Sequence, residues 1–171
     1  MIPDYFSCTL IHKSNFFDKG NLYVGGIQSL DSIKKYKFGA IISVIDELEY
    51  KIPSHIHHLR IVAPDEPNFK LSEHFEKTCK FIKSHLTKTN VLVHCQVGIS
   101  RSVSIMMAYF IKEMNMKPDE ALLYIQNKRD FVHPNEGFRL QLQNFYEQCQ
   151  KPQEQGKLQI KAQQIQQPKK K

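Results

Sequence analysis

The stretch Val91–Ser102, VLVHCQVGISRS, sets a cysteine directly behind an apolar β-branched run, with an arginine six residues further on. Val91–Val93 reads as a buried strand, and the apolar run that follows Arg101 reads as a helix. The loop between them therefore leaves the carboxyl end of a strand and feeds a helix N-terminus. Free backbone N–H groups and the helix dipole converge at such a place, so it holds anions. Successive amides wrap an anion as a nest, and Gly98 permits the left-handed or crowded backbone that a wrap requires. Arg101 adds a planar fork that grips two phosphate oxygens at once. Cys95 lies at the base of this positive cradle, where the field that binds phosphate also favours thiolate over thiol. These residues ask for thiolate attack on a bound phosphoryl group, with a phosphocysteine as the product.

Strands and helices alternate on both sides of this stretch. Asn21–Gly26 (NLYVGG) is a short strand closed by glycines, and Ser29–Phe38 a modest helix with Ser29 as its N-cap. Ala40–Asp46 (AIISVID) has the continuous apolar character of a strand buried on both faces, and Ile56–Val62 is another strand. Leu71, Phe75, Cys79, Ile82 and Leu86 recur at helical spacing, which makes Lys70–Leu86 an amphipathic helix. Ser102–Met114 is apolar nearly all round, as a core helix is. Lys117–Arg129 opens on Pro118 and acids, and His133–Gln150 is the last helix. The expected fold is α/β: a single domain with a mostly parallel central sheet and helices on both faces.

The chain has 171 residues and 41% apolar content, enough for one domain with a real core. Its net charge of +7 is unevenly spread. Residues 151–171 hold six lysines against Glu154 and so carry +5 of it, which leaves +2 for the rest. The folded part is thus not expected to bind nucleic acid. The divisions expected are an extension over 1–20, a catalytic domain over 21–149, and a Gln/Lys-rich tail over 150–171 whose composition favours disorder over a frayed helix. The four cysteines show no CxxC spacing and no disulfide framework. The N-terminus resembles no signal peptide and offers no glycine for a myristoyl chain, and no apolar run approaches the ~20 residues of a membrane span. A reduced intracellular setting, cytoplasmic and also nuclear, is the expectation, with no membrane anchor.

His94–Ser102 (HCQVGISRS) resembles the HCxxGxxR[S/T] signature of the cysteine-dependent protein phosphatases. Asp65 upstream, HPNEGFRLQLQNFYE downstream and the overall length look most like the small, atypical dual-specificity phosphatases, from Asn21 to Gln148. The resemblance implies hydrolysis of phosphotyrosine and phosphoserine/threonine in phosphorylated proteins, without metal or cofactor. By the same resemblance Cys95 is the nucleophile, and Arg101 with the amides of Gln96, Val97, Gly98, Ile99 and Ser100 binds the phosphoryl oxygens. Ser102 donates to the cysteine sulfur, and His94 orders the loop and aids the thiolate without titrating. The family places its general acid about 30 residues before the cysteine. Asp65 in VAPDEPNF stands there, with Glu66 as its rival, between the stiffening Pro64 and Pro67. Asn135 matches an asparagine that supports the phosphate loop; otherwise it is a helix cap.

The plainer alternatives are an inert buried Cys95, a surface ion pair for Arg101 and an N-cap for Ser102; the shared register argues against the first two. His55, His57 and His58 invite a metal reading, but no cysteine or acid nearby completes a site, so they are expected as strand-surface or packing histidines. Cys79 is expected in the core; it and Cys8 are the two candidate disulfide partners for Cys95 under oxidation. The terminal lysines are a solvated tail or a tether to acidic surfaces. Rival functions are an inactive phospho-binding module, which would normally lose Cys95, and a phosphatase of phosphoinositides, carbohydrate or RNA 5′-phosphates. No cation besides Arg101 lies inside the loop to favour these. Sulfur transfer by a rhodanese-like loop lacks a use for Asp65.

Overall fold

The apolar runs condense into a five-stranded sheet. In this computed structural model the described residues are 7–13, 15, 19–47 and 49–165, with side chains described as far as Lys151. The strands are β1 (Thr9–His12), β2 (Leu22–Gly25), β3 (Phe38–Val44), β4 (His57–Ile61) and β5 (Asn90–His94), in spatial order β1-β2-β5-β3-β4. β2, β5, β3 and β4 run parallel, and β1 adds to the β2 edge antiparallel. β5 lies between β2 and β3, with Val91–Val93 buried, because a strand covered on both faces must be apolar throughout.

Helices α2 (Phe75–Leu86), α3 (Arg101–Met114), α4 (Pro118–Gln126) and α5 (Glu136–Ile165) accompany α1 (Ile33–Tyr36). α3 packs on β5 and meets α2, α4 and α5, so its nearly uniform apolarity is explained by neighbours around it. Phe75, Phe110 and Phe138 are wholly buried in that layer, and replacing any one by alanine is expected to cost about 3–5 kcal/mol. A smaller cluster, with Tyr23, Leu30, Ile41 and Leu92, forms the core of the other face. No helix among the described residues is long and apolar enough to cross a membrane.

Four details differ from the sequence reading. β1 is absent from it, since a four-residue edge strand carries little local signal. Ser29 is not an N-cap: a 3₁₀ turn already begins at Ile27, and Ser29 is buried inside it, with its N–H on the Gly26 carbonyl. β3 begins at Phe38, which joins the strand rather than ending the helix. The tail stays helical to Ile165, where composition favours disorder. A helix already packed upstream extends without a new nucleus, here through Gln, Lys and Leu and past the unfavourable Pro152 and Gly156; residues 166–171 lie outside the described residues.

The parallel register brings the carboxyl ends of β2, β5 and β3 level, with Gly25 opposite His94 and His94 opposite Ser43. The loops that leave them therefore converge at one edge of the sheet.

Candidate active site

The phosphate loop runs from Cys95 to Ser100, and its carbonyls are held from outside. Ile27 N donates to the Gln96 carbonyl at 3.0 Å, and His133 N to that of Ile99 at 3.0 Å. Arg129, 2% exposed, donates Nη2 to Val97 O at 3.2 Å and Nε to Gly98 O at 3.1 Å. Ser104 N, in the first turn of α3, takes the Ser100 carbonyl at 2.8 Å. With these carbonyls held from outside, Gly98 N donates to Cys95 Sγ at 3.2 Å. Gly98 has φ +81°, and a Cβ there would lie 2.5 Å from the Gly25 carbonyl carbon, so both conformation and contact require glycine.

Cys95 is 2% exposed, and Ser102 Oγ donates to its sulfur at 3.3 Å. This corrects the N-cap alternative for Ser102: α3 begins one residue earlier, and the hydroxyl points back into the loop. Arg101 donates Nη1 to the Ala63 carbonyl at 2.9 Å and forms an ion pair with Asp46 through the same nitrogen. Its Nε is buried without a hydrogen-bond acceptor. A buried N–H left without an acceptor is costly, and an oxyanion placed here would supply one.

Asp65 reaches the loop from beyond β4. Its Oδ1 accepts from Ser100 Oγ at 2.7 Å and from Asn135 Nδ2 at 2.8 Å, while Oδ2 lies 3.8 Å from Arg101 Nε. Asn135 bonds on both sides: its Oδ1 accepts from Phe138 N at 2.9 Å in the first turn of α5, and its backbone N–H donates to Ser100 Oγ at 3.2 Å. Gly137 lets α5 approach the acid's loop, since a Cβ there would meet the Pro67 carbonyl oxygen at 2.0 Å. The rival acid Glu66 is exposed.

His94 is wholly buried, and burial pushes its pKa down to about 4, so it is neutral. Nδ1 lies 3.3 Å from the Cys95 carbonyl and therefore carries the proton; Nε2 then accepts from Ser43 Oγ at 2.6 Å. Ser43 in turn accepts from His58 Nε2 at 2.8 Å. His57 and His58 are exposed positions of β4, and His55 precedes the strand. The chain His58–Ser43–His94 fixes the residue that precedes the nucleophile.

Cys79 is buried on α2, and the charged and thiol groups that act on it are Lys112, Glu76, Glu113 and Cys149. Lys112 lies eleven residues along α3 from Arg101, about 16 Å away. A cavity of about 320 Å³ lies there, lined by Glu76, Lys112 and Cys149 among others, remote from Cys95. Cys8 belongs to the core of the opposite face, and all four thiols are free.

Arg129, Asp46 and Ser43 are site residues that sequence reasoning missed. Arg129 and Asp46 stand in charged, surface-like runs and Ser43 inside an apolar strand, and only the folded chain carries Arg129 under the phosphate loop, Asp46 to Arg101 and Ser43 to His94.

Residues 22–148 match the family model described as dual specificity phosphatase, catalytic domain. The human dual specificity protein phosphatase 22 is 34% identical over 72% of this chain and 69% of its own. A probable dual specificity protein phosphatase of Dictyostelium discoideum is 31% identical over 72% of this chain. A Slingshot homolog of Xenopus laevis is 34% identical over the same share. The chain spans 32% of the length of the Dictyostelium protein and 18% of that of the Slingshot homolog. The crystal structure of DUSP15 superposes with a TM-score of 0.69 at 33% identity, covering 73% of this chain and 82% of that one. With the signature loop, the parallel sheet and the matched span in agreement, the chain belongs to the dual-specificity phosphatase family, with the cysteine-phosphatase fold.

Proposed function

We propose that this chain hydrolyses phosphotyrosine and phosphoserine/threonine in proteins through a phosphocysteine intermediate. One observation carries the reading: Cys95 Sγ receives two donors, Gly98 N–H and Ser102 Oγ–H, next to a buried Arg101 Nε that lacks an acceptor. The amide edge and Arg101 receive the phosphoryl oxygens. Sγ attacks phosphorus, the ester P–O bond breaks, and its electron pair leaves on the substrate oxygen. Asp65 delivers the proton that this oxygen needs. Its Oδ1 is already occupied by Ser100 and Asn135, so Oδ2, the oxygen nearer Arg101, carries it. In the second step a water gives its proton to Asp65 and attacks phosphorus. The S–P bond breaks, and its electron pair returns to Sγ, where Gly98 N–H and Ser102 Oγ–H receive the charge.

The protein-phosphatase names of the relatives support phosphoprotein substrates. Retention of Cys95 and Asp65 separates the chain from a module that only binds. Four free thiols support a reducing setting, cytoplasmic and also nuclear, as part of the same proposal.

The test is the pH dependence of kcat/KM for wild type and Asp65→Asn on two substrates of different leaving-group basicity. Asp65→Asn keeps the shape and removes the proton donor. Its loss is expected at about 10²–10⁴ on phosphotyrosine and phosphoserine and much less on para-nitrophenyl phosphate. The basic limb of the wild-type profile should flatten in the variant. An equal loss on both substrates with an unchanged limb would remove Asp65 from the role and send the test to Glu66→Gln.

A further inference from the structure

The loop between β3 and β4 leaves the sheet beside the phosphate loop, and it is acidic there: Asp46, Glu47 and Glu49 against Lys51. Asp46 and Glu47 line, with Ile45, Gln96 and Arg101, a cavity of about 270 Å³. Two of its walls, Gln96 and Arg101, belong to the phosphate cradle. The cavity therefore adjoins the position of a bound phosphoresidue, within reach of its chain neighbours. The Arg101 side chain is nine-tenths buried and its Nε has no acceptor, which marks the adjoining position as the phosphate's.

Once the phosphate takes the Arg101 charge, Asp46 shares its ion-pair partner with a dianion. Half of the Asp46 side chain, 54%, is open to solvent, and Glu47 is exposed. Arg60 does not line the cavity; it donates Nη2 to the Asp46 backbone carbonyl at 3.2 Å.

We infer that this cavity is a subsite for a lysine or arginine adjacent to the phosphoresidue, an inference that rests on the phosphatase reading above. The sign of the preference is diagnostic. The whole chain carries +7, so its long-range field alone would favour acidic peptides. The local carboxylates favour basic ones.

The experiment uses the full chain and three phosphotyrosine peptides that differ only in having Arg, Ala or Glu on both sides of the phosphoresidue. At low salt kcat/KM for the Arg peptide is expected to exceed that for the Glu peptide by about tenfold, and the ratio should shrink in high salt. Glu47→Lys should erase or invert the ratio; its thermal melt checks folding. A ratio near one in wild type, a preference for the Glu peptide, or a ratio untouched in well-folded Glu47→Lys each overturns the subsite alone. The same peptides are also titrated by fluorescence anisotropy onto Cys95→Ser. If wild type turns over none of them, the phosphatase reading fails, and the subsite stands or falls on whether binding still ranks Arg above Glu.

Discussion

Cys95 and Cys79 are both shut away from solvent, at 2% and 0% exposure, and both belong to the main core cluster. Their surroundings part them. Cys79 lies on the apolar stripe of α2, where burial pushes its thiol up to about 12. Cys95 lies where a strand stops, a glycine turns the chain and a helix begins. It collects a backbone N–H at 3.2 Å and a hydroxyl at 3.3 Å, with an arginine one residue before that hydroxyl's residue. Burial by itself makes a thiol inert; burial among donors makes a nucleophile.

The sharpest way to break this contrast is to exchange the sulfur at each place. Cys95→Ser is expected to lower kcat by about 10³-fold or more while vanadate or phosphate still binds, because the cradle is intact. Residual activity within tenfold of wild type would remove Cys95 from the nucleophile's role. Cys79→Ala should keep turnover within about twofold and cost about 1–2 kcal/mol in a denaturant melt, as a small core truncation does.

A smaller effect is expected from the donors' support. Arg129→Met keeps length but frees the Val97 and Gly98 carbonyls. It should lower kcat/KM on para-nitrophenyl phosphate by about 10–10² and weaken phosphate binding, since misplaced groups cost rate even far from the chemistry. Unchanged phosphate affinity and rate would mean that the loop holds its shape without Arg129.

The smallest effect concerns the neighbour of Cys95. His94 titrates near 4 in the fold, below its ordinary 6.5. The unfolded chain therefore binds a proton in that window that the folded chain refuses. Stability from this group is full above about pH 6.5 and is lost as pH falls toward 4, to the extent of roughly 3 kcal/mol. His58, also lowered by burial, adds in the same direction. Denaturant melts at pH 7 and pH 5 should show the drop, and His94→Gln should show less of it. An equal drop in both proteins would assign it to other groups.

What was legible in the sequence is what is local. Cys95, Gly98, Arg101 and Ser102 sit within eight residues, and the strand–loop–helix pattern around them depends on neighbours in the chain. Asp65 was legible through family spacing. Its partners Ser100 and Asn135 were named for the phosphate loop, but their hold on one oxygen of Asp65 was not readable. Asp46 and Arg129 gave no signal, because a lone acid after a strand and an arginine in NKRD look like solvated surface. β1 was missed for a related reason: Thr9–His12 becomes a strand by pairing with β2, not by its own pattern. The helix that continues to Ile165 is likewise not legible in the composition of the tail, because it extends α5 from upstream.

The reach of Arg129 also sets a timetable. Besides the phosphate loop it bonds Ser7 O at 3.1 Å and Thr9 Oγ1 at 3.0 Å, residues some 120 positions earlier. Contacts of such separation close late. A chain emerging from the ribosome thus releases Cys95 well before the arginine that braces its loop, and it gathers the first strand, the loop and α4 in one final closure. The nascent protein carries its nucleophile for a few seconds of synthesis, at about 5–20 residues per second, without the scaffold that arms it.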